Sequence, residues 1–83
     1  MESLLKVPLV LQPQPEGGYT ITSPLLPELV TEGDTVEEAL ANVQDAVDAV
    51  IELYEDTGRP LPRSLRQAVD GEPIWFEALV PTP

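Results

Sequence analysis

The sequence predicts an α+β domain in which a three- to four-stranded, mostly antiparallel sheet carries one long helix on one face. Three observations predict it. Apolar residues alternate with period two near both ends of the chain. A proline- and glycine-rich turn separates the first two alternating runs. Between the ends, one span has apolar residues at helical spacing and is bracketed by cap signals on both sides.

The elements follow in order. Residues 3–12, SLLKVPLVLQ, read as a strand, with Leu5, Val7, Leu9 and Leu11 on one face and Leu4, Lys6, Pro8 and Val10 on the other. Pro8 has no N–H to give to a ladder, so it marks an edge or a bulge. Residues 13–18, PQPEGG, are turn chemistry, and residues 18–23, GYTITS, alternate again, which makes a hairpin. Residues 24–30, PLLPELV, form a loop leading to a short third strand near Leu29–Glu32, and Gly33 breaks the chain before the helix. After the helix, residues 64–70, SLRQAVD, read as a short helical turn, and Asp70-Gly71 as a turn. Residues 73–80, PIWFEALV, read as the last strand, with Ile74, Phe76, Ala78 and Val80 on one face and Trp75, Glu77 and Leu79 on the other.

The helix is expected over Thr35–Thr57, about 34 Å at ~1.5 Å per residue. Thr35-Val36-Glu37-Glu38 is a capping box, and Asp34, Thr35 and Glu38 are assigned to it as structural residues. Asp34 and Glu37 also face the positive end of the helix dipole, where carboxylates belong without any metal. Gly58 is the stop, and Pro60 and Pro62 prevent resumption. Val36, Leu40, Val43, Val47, Val50, Ile51 and Tyr54 fall within about a third of the helical wheel, flanked by Ala39 and Ala46. Glu37, Glu38, Asp45, Asp48, Glu52, Glu55 and Asp56 occupy an opposite arc of roughly 100°. Asp48–Glu52 and Glu52–Asp56 are like charges four residues apart, each costing ~0.2–0.5 kcal/mol.

Composition narrows the chemistry. The chain has 83 residues, 15 acids against 4 bases, a formal charge of −11, and neither histidine nor cysteine. That excludes a Ser-His-Asp triad, a cysteine nucleophile, a disulfide and a histidine-containing zinc site. The charge disfavours direct nucleic-acid contact, which needs a basic footprint, and favours a basic protein partner. So short a chain has a marginal core, and homo-oligomerisation, as dimer or tetramer, is the expected reinforcement. Apolar Leu4, Val10, Trp75 and Leu79, on the sheet face away from the helix, are its candidate surface. No apolar run approaches membrane-spanning length, and the N-terminal residues lack a signal-peptide pattern, so a cytoplasmic protein is expected.

Gly18-Tyr19, Pro24, Leu26-Pro27, the run Thr31-Glu32-Gly33-Asp34-Thr35-Val36-Glu37-Glu38-Ala39-Leu40, and the helix end Gly58-Arg59-Pro60-Leu61-Pro62 together resemble the N-terminal domain of the HicB-like antitoxins. The resemblance covers most of residues 5–62. It implies a partial RNase H-like fold, β-β-β-α-β, that does not cleave RNA itself and that binds and neutralises a small basic ribonuclease toxin of the HicA type; the residues themselves point to no enzyme activity, cofactor or metal. Relatives usually add a C-terminal DNA-binding domain. Only 21 residues follow Pro62, so residues 1–83 are expected to form a single domain without one. Leu25, Glu28 and Leu29 depart from the pattern, which usually has an acid, a glycine and a cysteine there.

Asp45, Asp48, Glu52, Glu55 and Asp56 are the candidate partner-binding face; the competing reading is a solvated helix side. An orphan oligomeric module with no toxin is the alternative function. A carboxylate-metal nuclease is disfavoured, because the strands offer only Glu77. Trp75 and Phe76 are read as core and interface rather than as a base-stacking platform. Arg59, Arg63 and Arg66 are read as solvated loop charges, with anion binding or a salt bridge to a neighbour's acidic helix as the functional alternative.

Overall fold

A computed structural model describes residues 2–83, and side-chain surroundings from residue 3 onward. Its element order is β1 (Glu2–Leu5), β2 (Val10–Pro13), β3 (Tyr19–Thr22), β4 (Val30–Gly33), α1 (Val36–Ala41), α2 (Val43–Asp56), a 3-10 turn (Arg63–Leu65) and β5 (Arg66–Val69). The fold is α+β, with β2-β3-β4 as one antiparallel sheet and β1-β5 as another.

The expected first strand is present as two. β1 and β2 are separated by Lys6–Leu9, and Pro8, which cannot donate to a ladder, lies in that break. The first half of the run pairs with β5, Leu4 opposite Gln67 and Leu5 opposite Arg66. The second half pairs with β3, Leu11 opposite Ile21. The alternation holds through both halves: Leu5, Val7 and Leu11 pack against the core, whereas Leu4, Lys6, Pro8 and Val10 are exposed. Leu9, in the break, departs from the pattern and is 38% exposed.

Two readings change after the helix. Residues 66–69 are a strand rather than part of a helical turn. Seven residues are too few to sustain an isolated helical turn, and once Leu65 is buried the chain lies along β1. Residues 73–80, expected as the last strand, lie in no strand. The strand that follows the helix and pairs with β1 is β5, residues 66–69. Consequently Trp75 is 83% exposed and Phe76 76%, so neither is a core residue.

The helix runs in two segments. Asn42 stays near helical geometry (φ −82°, ψ −8°), and its N–H donates to Glu38 O (3.1 Å) and Ala39 O (3.2 Å). The Ala46 N–H returns to Asn42 O (3.2 Å), so the ladder crosses the interruption. The Asn42 side chain meanwhile donates to Glu32 O in β4 (2.8 Å), tying the helix to the sheet.

The apolar helix face packs as its spacing predicts. Ala39, Val50 and Tyr54 are buried with Ile21, Leu26, Leu29 and Leu65, and Leu40, Val43, Ala46 and Val47 pack around them. Leu29, where the family pattern has cysteine, is completely buried.

Both helix ends are closed by local chemistry. The Glu38 N–H donates to Thr35 Oγ1 (3.1 Å), while the Glu38 carboxylate accepts from the Asp34 N–H (3.0 Å) rather than from Thr35 itself. Thr35→Ala should therefore cost about 1 kcal/mol, read as a shift of the urea midpoint with an unchanged slope. At the far end Gly58 takes φ +67°, and the Gly58 and Arg59 N–H groups donate to Glu55 O (3.1 Å) and Tyr54 O (2.9 Å), a Schellman motif.

Candidate functional site: the acidic face of the long helix

α2 presents Asp45, Asp48, Glu52, Glu55 and Asp56 on the side away from Val50 and Tyr54, and all five are exposed. Eight of the 15 acids lie between Asp34 and Asp56, with no base among them. Among the described residues the only ion pair is Arg59 with Glu28, so no cation of the same chain neutralises this face. Asp48 has one polar neighbour, accepting from Gln44 Nε2 (3.0 Å). Glu55 and Asp56 also sit at the negative end of the helix dipole, and no basic residue occupies the last turn. Helix stability alone favours the opposite pattern, with lysines interspersed and cations at the C-terminus.

Of the three arginines, Arg59 is not a solvated loop charge: among the described residues it alone forms an ion pair. Arg59 donates through Nη1 to Glu28 Oε2 (2.9 Å), and its guanidinium lies 4.3 Å from the centre of the Tyr54 ring. The Tyr54 hydroxyl donates to the other Glu28 oxygen (2.8 Å). Glu28 thus joins the β3–β4 loop to the C-terminal end of α2. The hydrogen bond from Arg59, supported by that from Tyr54, holds the Glu28 carboxyl below its ordinary pKa; the same Glu28 hydrogen bond raises the Tyr54 phenol above its own. No local pattern in the sequence marks this trio, in which Tyr54 and Arg59 are 26 and 31 residues from Glu28.

A pH dependence follows. Because folding lowers the Glu28 pKa, the unfolded chain binds the proton more readily, and this group's contribution to stability is present above the ordinary carboxyl value of about 4.3. It is lost as pH falls through the lower, folded value. Glu28→Gln should remove that segment of the acid limb, so the denaturation midpoints of the two proteins should converge only once the pH has fallen below the lowered, folded value of Glu28.

The helix cap accounts for Asp34, Thr35 and Glu38. No group of three or more acidic residues among those described could hold a metal ion. Glu77, expected on a strand, is not on one; Glu32 is, exposed on β4. The candidate oligomer residues are all exposed: Leu4 on β1, Val10 on β2, and Trp75 and Leu79 in the segment after β5. Without a strand at 73–80, the single sheet face expected to hold all four does not form.

No protein-family model matches the chain. Similarity to individual proteins is clear. It is 40% identical over 58 residues to Antitoxin HicB 1 of Photorhabdus laumondii, covering 70% of this chain and 37% of that one. It is 36% identical over 63 residues to Antitoxin HicB of Escherichia coli K12, covering 74% and 46%. A UPF0150 protein of Thermoplasma acidophilum is 32% identical over 59 residues, covering 71% of this chain and 86% of that protein. The chain belongs to the HicB-like antitoxin family. Its match spans less than half the length of these two HicB antitoxins, but most of the UPF0150 protein. In this HicB-like chain the departures at Glu28 and Leu29 have structural roles: Glu28 anchors Tyr54 and Arg59, and Leu29 fills the core. Among the described residues no helix is long and apolar enough to cross a membrane.

Proposed function

We propose that the chain is an antitoxin-type binding domain that holds a small basic ribonuclease toxin of the HicA type against the acidic face of α2, and so blocks it. It acts by binding in the cytoplasm, with no catalysis and no nucleic-acid contact of its own. The observation that carries this reading is the unneutralised row Asp45, Asp48, Glu52, Glu55 and Asp56, on a chain similar to proteins named Antitoxin HicB. An exposed acidic face contributes chiefly to association rate and partner choice, both sensitive to salt.

The test is co-expression with the product of the neighbouring gene, followed by affinity capture at low and high salt. The expected result is a small basic protein that is retained at low salt, released by salt, and without ribonuclease activity while bound. A neighbour that is not small and basic, or one that never binds, removes the toxin from the proposal and leaves an oligomeric binding module.

A further inference from the structure

Residues 73–83 have the composition of a strand and none of its pairing. Among the described residues they make no backbone hydrogen bond, and Trp75, Phe76, Leu79 and Val80 are all mostly exposed. The segment follows the exposed Asp70-Gly71-Glu72 turn, where Asp70 Oδ1 accepts from the Glu72 N–H (3.2 Å). Trp75, Phe76 and Leu79 form one wall of an open groove of about 900 Å³, whose body is Val7, Leu9, Leu11, Leu40 and Val43. The segment borders this groove without filling it.

The molecule as a whole is too open for its size. Its accessible surface is 6337 Å², against about 4,850 Å² for a compact monomer of this mass, a surplus of roughly 1,500 Å². Its radius of gyration is 14.2 Å, against about 12 Å for a compact domain of this length. The surplus is nearly twice the ~800 Å² that each partner buries in a standard interface.

We infer that residues 74–80 are an exchange arm that fills the apolar groove of a second copy of this chain, giving a two-fold dimer. Although each chain carries a net charge of −11, the local charges of arm and groove match those of a second copy. The arm's one acid is Glu77, and the groove's one base is Lys6; both line the groove, yet they form no ion pair within the chain. Exchange gives each Lys6 the other copy's Glu77 and keeps the acidic α2 faces out of the contact. Arms of this kind exchange at low cost, since each copy offers the other the same surface.

Trp75 is the only tryptophan, so its emission reports the arm directly. Light scattering should give twice the 9.0 kDa of one chain, and Trp75 emission should shift to the red on dilution, following the mass. Trp75→Asp should weaken the dimer by at least about 30-fold while leaving the far-ultraviolet helix signal intact. Lys6→Glu and Glu77→Lys should each weaken it by about two- to fivefold, and mixing the two variants should restore it in heterodimers. The mixing result does not depend on the aspartate variant folding. A mass of 9.0 kDa at every concentration overturns the inference, even with Trp75 emission shifted to the blue, because the arm then closes on its own groove. A dimer indifferent to Trp75→Asp and to both charge reversals also overturns it, as does burial of Trp75 only when a basic protein is added.

Discussion

Replacing Gly33 with alanine should destabilise the domain by about 3 kcal/mol or more, lowering the melting temperature by over about 10 °C. A Cβ at this position would collide with the backbone nitrogen of Ala39 and lie 2.8 Å from the carbonyl carbon and the Cβ of Glu38. None of these is the movable tip of a side chain. The last residue of β4 touches the first turn of α1, and that approach seats Ala39, completely buried, against the sheet. Relief requires moving α1 outward, which also strains the Asn42 to Glu32 link. A domain of this length has a total stability of roughly 4–12 kcal/mol, so the loss is a large share of it. Thermal unfolding by circular dichroism measures the effect. A change below about 1 kcal/mol would mean that the β4–α1 contact is soft. Gly58→Ala, at a positive φ with open space around it, should cost less, about 1 kcal/mol.

Gly33 also shows what a sequence can and cannot reveal. The Gly33-Asp34-Thr35 run marks a helix start, and the apolar spacing from Val36 to Tyr54 marks a buried face, because both signals are local. The Schellman stop at Gly58 is equally local. That Gly33 is needed for a close approach is not local, since the crowding atoms belong to the turn that follows. The segment after β5 illustrates the same point in reverse. Ile74–Val80 alternates better than Arg66–Val69, yet the latter is the strand, because β1 lies about 60 residues away and the choice between the two is made by pairing. A strong alternating pattern records that a segment suits a sheet, without saying which sheet or which molecule provides it. Glu28, Tyr54 and Arg59 likewise meet only through the fold. The acidic arc is legible because it needs nothing beyond helical geometry.

Reversing three charges of that arc, with Asp45→Lys, Asp48→Lys and Glu52→Lys together, should weaken binding of the proposed basic partner by about 3- to 150-fold at low salt, each exposed pair contributing ~0.2–1 kcal/mol. Each reversal adds two charges, so the net −11 becomes −5, and the association rate should fall with it. Most of the salt dependence should disappear. The fold should not suffer: all three side chains are exposed, and a lysine at position 52 would face Glu55 and Asp56 as opposite charges in place of two repulsions. A melting temperature equal to or slightly above that of the original protein is therefore expected, which separates lost binding from lost structure. The neutral set Asp45→Asn, Asp48→Asn and Glu52→Gln should fall between the two, because it removes attraction without adding repulsion. Titration calorimetry with the purified partner at two salt concentrations reads all of these outcomes. Unchanged affinity with an unchanged salt slope would assign the arc to solvation and move the partner to another surface. If the proposed dimer of exchanged arms persists while binding of the proposed partner is lost, the two surfaces are independent: an apolar one joining copies of the chain, and a charged one on α2.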